Sequence, residues 1–508
     1  MTIVVAPAPR PLYALAGLVA GVVGLAVSHV ATMLLTVRAT PLLAVAEGII
    51  AVTPGPLAER LIRLVGQNDK TILVIGVTVV LLALSAWAGV LSRRNQAIAI
   101  GIFAAMGVLG GVAVWARKGS TVFDLAPVIL GTAAWVVVLI LLDDRLAKQY
   151  REHQPDVARR RFLITAGVTG AAAVALGIVG QIAGASRRGV ETARTLLRLP
   201  VGRGVVPDGA DLELAGITPW RTPNADFYRI DTALVTPTID PTDWRLRVHG
   251  MVDREVVLTY RDLLDRELTE DWVTLCCVSN EVGGDLISNA YWSGVRIADV
   301  LAEAGVHPGA NAVLQTSRDG WSCGTPIEVL TDDRNALLAI AMNGEPLPVE
   351  HGFPVRMVVP GLYGYVSATK WLVDLEVSRF EDFTAYWTER GWAPQGPVKT
   401  ESRIDVPRDG ADVQSGRLRI GGCAWAQHTG IERVEYRLDG QPWAQADLGR
   451  VPSVDTWVQW TATLDVPSGK HSLAVRATDR SGYTQTGVRT GVVPNGATGW
   501  HTIEFQAR

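Results

Sequence analysis

The run Thr274-Leu275-Cys276-Cys277-Val278-Ser279-Asn280-Glu281-Val282-Gly283-Gly284, followed by Trp292-Ser293-Gly294, carries most of the information in this 508-residue chain. A β-prone segment with a cysteine at its end leads into a polar Gly-Gly turn, so the strand end can present a thiolate to a metal. Thiolate is a soft ligand suited to transition metals, but one thiolate cannot close a site. The remaining ligands must come from a cofactor. Cys276 and Cys277 point to opposite faces of the strand and do not bridge each other. With Cys323 and Cys423 they are the only cysteines, and no spacing typical of zinc or iron–sulfur ligation is present.

Working outward, the average hydrophobic content of 48% conceals a split. The first third is nearly all Ala, Val, Leu, Ile and Gly, whereas the rest has ordinary globular composition. Five apolar runs (12–35, 72–91, 97–116, 122–142 and 162–183) are long enough to cross a bilayer as helices. The run 42–65 is ambiguous: Pro54, Gly55 and Pro56 interrupt it and Glu47, Glu59 and Arg60 are costly in lipid, so it reads as interfacial or re-entrant. The loop 143–161 carries Arg145, Lys148, Arg151, Arg159, Arg160 and Arg161. The positive-inside rule makes it cytoplasmic, which puts everything after residue 183 outside the cell membrane. Arg159-Arg160-Arg161-Phe162-Leu163-Ile164 resembles a twin-arginine export signal, and ordinary basic flanking of a membrane helix is the competing reading. His29 is the only histidine in a span, so the helices cannot hold a bis-histidine haem. An anchor, or a docking surface for a redox partner, is the expectation for this part.

The net charge of −3 suggests no nucleic-acid partner. There is no GxGxxG after a strand and no P-loop, hence no nucleotide footprint. After a polar, Gly-containing linker (186–216), the segment 217–398 mixes short β runs with brief helices; 245–250 alternates as a strand, and 260–264 and 297–303 read as helical. The last hundred residues are different. Short alternating strands near 418–420, 434–438, 456–464 and 472–477 are separated by Asp439-Gly440, Ser468-Gly469 and Ser481-Gly482 turns, the rhythm of an immunoglobulin-like β-sandwich.

From about Pro219 onward the chain resembles the sulfite oxidase family of molybdenum enzymes. The resemblance rests on Thr274-Leu-Cys-Cys277-Val-Ser-Asn280, Ile287-Ser-Asn-Ala-Tyr-Trp-Ser-Gly294, Glu350-His-Gly-Phe-Pro-Val-Arg356-Met-Val-Val-Pro-Gly361, Lys370-Trp371-Leu372 and Ala497-Thr-Gly-Trp-His501, in this order and spacing. It implies an α+β molybdopterin-binding domain (217–398) followed by an immunoglobulin-like dimerisation domain (399–508), which the α-helical transmembrane bundle read from the apolar runs (1–185, about five helices) would carry. It also implies a Mo-molybdopterin cofactor whose metal takes one cysteine thiolate. The matching position is Cys277, the metal ligand and centre of catalysis. His351, Arg356, Ser367 and Lys370 match cofactor contacts, and Thr316 and Arg229 are carried over from looser matches. Implied partners are a small-molecule substrate, the lipid bilayer, a separate electron carrier (a cytochrome or quinol system) and a second copy of the chain.

Departures bear on the substrate. Sulfite oxidases surround the metal with arginines and a tyrosine suited to an oxyanion; here Val282 stands where such an arginine is expected and Trp392 where the tyrosine is. The Gly361-Leu-Tyr-Gly-Tyr365 run instead resembles the periplasmic methionine-sulfoxide reductase branch, which generally lacks the carboxyl-terminal sandwich. Sulfite oxidation and sulfoxide reduction both stay open. So does a non-catalytic surface module that keeps the fold without the metal.

Overall fold

Small residues on the first helix decide how the amino-terminal part packs. The computed structural model describes residues 8–35, 37, 40–53, 69–117, 120–152, 155–183 and 185–508, and divides into two compact units, Met1–Arg188 and Gly189–Arg508. In the first unit, the helix Arg10–Leu34 packs against Asp69–Ser92, Ala126–Glu152 and Pro155–Ala183. Gly17 lies on Gly89 and the Ser85 carbonyl, Gly24 lies on Trp135, and the Trp135 indole donates to the Gly21 carbonyl at 3.0 Å. Close approach at glycine is how helices associate when surrounding lipid offers no hydrophobic driving force.

Among the described residues four helices are long and apolar enough to cross a membrane, within Arg10–Leu34, Lys70–Ser92, Gln96–Trp115 and Val122–Glu152. The fifth apolar run, 162–183, lies on the helix Pro155–Ala183, after the arginines of its opening turns. The ambiguous run begins as a twelve-residue helix, Pro41–Val52, too short to span. Its Glu47 is neutralised by Arg117 at 2.8 Å. Residues 54–65 of that run lie outside the described residues.

The second unit opens with residues that pack onto it. Val190 is buried in its core, Arg194 donates to the Pro346 carbonyl at 3.2 Å, and Gly202 N–H donates to Glu270 at 2.7 Å. Two sheets then share one core. The first has the order β2-β1-β10-β5-β6, from Val256–Thr259 (β2), Arg245–Gly250 (β1), Leu372–Ser378 (β10), Ala312–Ser317 (β5) and Ser322–Pro326 (β6). Only β1 and β10 run parallel. The second is antiparallel: Thr269–Cys276 (β3) pairs Ile287–Arg296 (β4), which pairs Leu337–Met342 (β7), and β7 also carries Glu345–Pro346 (β8) and Arg356–Val358 (β9). The helix Ile297–Ala304 buries Ile297, Val300, Leu301 and Ala304, the spacing that lines one helical face, and stops at Gly305.

The carboxyl-terminal strands form two further sheets. One is Glu401–Val406 (β11), Gly416–Trp425 (β13), Val458–Val466 (β17) and Asp447–Leu448 (β16); the other is Asp412–Val413 (β12), His501–Ala507 (β19), Gly469–Asp479 (β18), Ile431–Leu438 (β14) and Ala444–Gln445 (β15). Ile420 and Trp460 from one face meet Val434, Val475 and Ile503 from the other in a common core, so the two sheets are stacked as a sandwich. The four strands read from sequence fall in β13, β14, β17 and β18.

The two pairs of sheets are joined through polar contacts made inside the core. The indoles of Trp220 and Trp457 each donate to the other residue's carbonyl, at 3.2 and 2.9 Å. Trp457 N–H donates to the Thr274 hydroxyl at 2.8 Å, and Gln427 donates to the Thr274 carbonyl at 3.2 Å. Trp220 is fully buried and packs on Trp272 with ring centroids 4.8 Å apart. Trp220→Ala is expected to destabilise the second unit by about 3–5 kcal/mol, measured as a midpoint shift in guanidinium unfolding of the detergent-solubilised chain.

Candidate active site

The strand β3 ends at Cys276, and Cys277 opens a loop held from both sides. Cys277 N–H donates to the Leu286 carbonyl at 2.9 Å, and Asn280 returns bonds from its own N–H to Cys277 O (3.0 Å) and from Leu286 N–H to its Oδ1 (2.9 Å). Gly283 has φ +81°, and a Cβ there would collide with the imidazole of His501. Arg403 donates to the Gly284 carbonyl at 2.7 Å while bonding Asp405 at 2.7 Å. The sandwich therefore fixes the cysteine loop. His501 accepts the Ile404 N–H on Nδ1 at 2.9 Å, and burial, helped by Arg403, pushes its pKa down to about 4, so it stays neutral and can accept.

The opposite wall comes from the segment 349–371. His351 ends a short 3-10 turn and Arg356 starts β9. Gly352, at φ +111°, lets the chain pass where a Cβ would press on Arg356 and on the Lys370 backbone. Arg356 is 3% exposed; it donates to the His351 carbonyl at 3.2 Å and lies over the Trp292 ring at 5.1 Å. Burial lowers its pKa to about 10. Trp371 has φ +50°, uncommon for a bulky residue, and its indole donates to the Val349 carbonyl at 2.8 Å, which fixes the neighbouring Lys370. Lys370 meets Asp231 at 3.3 Å; burial lowers its pKa to about 8, with the carboxylate opposing. Asp231 also bonds Arg229 at 3.0 Å.

Between these walls lies a cleft bordered by Cys277, Ser279, Ser317, Arg356, Lys370 and an aromatic set that includes Tyr228, Trp321 and Trp392. Burial raises the pKa of the Cys277 thiol, while Ser279 and then Lys370 act the other way. Of the seven sequence candidates, Cys277, Arg356 and Lys370 line the cleft. His351 stands behind Phe227, edge-on at 5.4 Å, and Arg229 reaches the rim through Asp231. Ser367 and Thr316 do not line it. The Ser367 hydroxyl is turned back onto the Tyr363 carbonyl at 3.0 Å, and Thr316 sits one residue before Ser317, which does face the cleft. Asp231, Ser279 and Ser317 were not sequence candidates. The pairing of Asp231 with Lys370 spans 139 positions and leaves no local signal.

Comparison with known proteins identifies this architecture. Residues 233–387 match the family model described as oxidoreductase molybdopterin binding domain. Human mitochondrial sulfite oxidase is 33% identical over 301 residues, 50% of this chain and 55% of that protein. Chicken sulfite oxidase is 30% identical over 311 residues, 51% of this chain and 67% of its own length. The uncharacterized oxidoreductase YuiH of Bacillus subtilis is 33% identical over 180 residues, 35% of this chain and 87% of its own length.

The chain belongs to the sulfite oxidase family of molybdopterin oxidoreductases. It spans about half the length of the mitochondrial relatives it matches. The crystal structure of the sulfane dehydrogenase SoxCD from Paracoccus pantotrophus superposes with a TM-score of 0.50 at 25% identity, covering 56% of this chain and 81% of that one.

The family's cofactor is Mo-molybdopterin, and the residues present suit it. Three buried polar atoms in this region have no protein partner: Ser317 Oγ in the lining of the cleft, His351 Nδ1 on the ring packed against Phe227, and Asn280 Nδ2 in the loop that Cys277 opens. Buried polar groups are ordinarily satisfied, so these mark where a hydrogen-bonding group belongs. Arg356, Lys370 and His351 supply the donors a phosphate-bearing pterin needs. Burial and the adjacent cations Lys370 and Arg356 push the His351 pKa down to about 3, leaving a neutral ring for hydrogen bonding.

His501 gives a pH test of the support behind the cysteine loop. Its folded pKa, about 4, lies below the ordinary 6.5, so between these values the unfolded chain binds the proton and the folded chain does not. Stability is expected to fall as pH drops from 6.5 to 4, by at most about 3 kcal/mol. His501→Asn, which keeps an acceptor that does not titrate, should flatten that limb of the stability curve in guanidinium unfolding followed from pH 7 to 4.

Proposed function

We propose that this chain is a membrane-anchored, molybdopterin-dependent oxidoreductase working outside the cytoplasmic membrane. In this reading Cys277 Sγ ligates the metal, the reaction is oxygen-atom transfer, and electrons are exchanged with a separate one-electron carrier. The observation that carries the reading is the placement of Cys277 at the head of a cleft whose buried cations and unpartnered polar atoms await an anionic, hydrogen-bonding ligand. When bound, the cofactor supplies the two-electron chemistry.

The chain's own residues supply the rest. Arg356, Lys370, His351 and Ser317 hold and orient the pterin; the loop 277–286, pinned by Arg403 and His501, fixes the thiolate. A bound metal reverses the effect of burial on the Cys277 thiol, because a coordinated thiol is deprotonated outright. The aromatic wall keeps bulk water from the metal. The four apolar helices serve as the anchor, and the basic stretch 143–161, which is helical rather than a loop and forms the end of Ala126–Glu152 and the start of Pro155–Ala183, supports, if cytoplasmic, an outside position for residues 189–508. The stacked carboxyl-terminal sheets are read as an immunoglobulin-like domain that brings two copies together.

Substituting the thiolate tests the core of this reading. Wild-type protein purified from a cofactor-competent host is expected to hold one molybdenum per chain. Cys277→Ser should abolish turnover and alter the Mo(V) electron paramagnetic resonance signal. An unchanged signal at full metal content would remove Cys277 as ligand. Protein without molybdenum would favour a binding module that retains the fold. Protease added to intact spheroplasts should remove residues after 189; complete protection would place the unit inside.

A further inference from the structure

Behind the cysteine loop, on the side away from the cleft, lies a carboxyl group that the functional reading just given leaves unused. Glu401 opens β11 and is 4% exposed, and its Oε1 has no hydrogen-bond partner. An unpaired buried carboxylate is costly, so such a group calls for an explanation. Alternation along the strands fixes where it points. Ile404 and Ala424 belong to the core of the sandwich, whereas Cys423 and Trp425 belong to the core that holds Cys276 and Tyr363. Glu401 pairs Trp425 across β11 and β13, and Arg403 pairs Cys423, so Glu401 faces the second of these cores. The Trp425 indole Nε1 is also buried without a partner, as is Oε1 of Gln427 two residues on. Directly opposed residues stand about 5 Å apart at Cβ, which sets an unmatched donor beside the unmatched carboxyl.

Neither neighbouring cation bonds Glu401. Lys399 Nζ donates to Asn495 Oδ1 at 3.0 Å and to the Gly496 carbonyl at 2.6 Å. Arg403 donates to Asp405, the Gly284 carbonyl and Thr218. The other titratable groups here, the Cys276 and Cys423 thiols and the Tyr363 phenol, are all pushed up by burial and stay neutral. Burial likewise raises the Glu401 pKa to about 8, with Lys399 opposing, so near neutral pH the carboxyl holds its proton.

Oxygen-atom transfer needs such a group. A substrate that takes its oxygen from water releases two protons and two electrons, and the reverse direction consumes both. Electrons added to a buried centre raise the proton affinity of nearby carboxyls, and electrons removed lower it. The geometry points to Glu401 as a redox-linked proton-binding residue, which takes up one of these protons as electrons arrive and releases it as they leave, with half-buried Lys399 on its side toward water. Glu401 touches no reacting atom; it acts through its charge on the end of β3 at Cys276.

Infrared difference spectra of the full-length, molybdenum-loaded protein in detergent, dithionite-reduced minus ferricyanide-oxidised, test this between pH 7 and 9. They should contain a protonated-carboxyl stretch that shifts in D2O and is lost in Glu401→Gln. The midpoint potential, followed by Mo(V) electron paramagnetic resonance, should fall with pH in the wild type, and Glu401→Gln should reduce that slope by about half. A purely structural role would change stability and leave the slope alone. If Glu401→Gln does not fold, Trp425→Phe serves in its place, and the band should move because the adjacent N–H is gone. Absence of a carboxyl band, a band indifferent to the variant made, or equal slopes overturns the inference. Molybdenum content separates the two levels: a loaded protein with an unchanged slope refutes the role of Glu401 alone, whereas a protein that takes up no molybdenum refutes the functional reading on which that role rests.

Discussion

The end of β3 is the constraint on which the site depends. A strand that stops at Cys276 would leave Cys277 on a free loop, since the Gly283-Gly284 turn beyond it has little stiffness of its own. Two sets of contacts remove that freedom. Thr274, three residues before Cys277, is bonded through its N–H, carbonyl and hydroxyl to Asp455, Gln427 and Trp457. Beyond Cys277, Arg403 and His501 hold Gly284 and Gly283. All five partners belong to the carboxyl-terminal sandwich, so the second pair of sheets supports the loop that carries Cys277. The ligand role proposed for Cys277 demands tolerances of well under an ångström, and packed strands supply them better than a loop does.

The electrostatics of the cleft follow from the same packing. Arg356 and Lys370 are buried cations whose depressed pKa values record the cost of leaving water. Asp231 offsets that cost for Lys370. Arg356 has the face of Trp292 and a backbone carbonyl instead, a weaker arrangement for a desolvated guanidinium. The asymmetry means that one cation is balanced by the protein while the other is left for a bound anion.

Local chemistry made much of this legible in the sequence. Cys277, His351, Arg356 and Lys370 lie within motifs whose spacing is set by backbone demands: a Gly-Gly turn after a strand, and a glycine at φ +111° between His351 and Arg356. The alternating strands of the sandwich were equally readable, because one face of each is buried in a common core. What escaped depends on register and on long-range pairing. Thr316 and Ser317 are adjacent on β5, and only the pleat decides which faces the cleft. Asp231 gains its meaning from Lys370, far along the chain.

A site built this way is least stable when empty. Unpartnered polar atoms on His351, Ser317 and Asn280, together with a guanidinium lacking a carboxylate, each cost free energy that a bound anionic pterin would return. A ligand that binds only the folded state adds stability by mass action, so the catalytic unit gains most by folding around its cofactor. That ordering has a consequence for a unit read as working outside the membrane while its cofactor is inserted in the cytoplasm. An export route that moves folded, loaded protein suits it better than one that threads an open chain. This gives Arg159-Arg160-Arg161, in the opening turns of the helix Pro155–Ala183, a physical reason to be more than basic flanking.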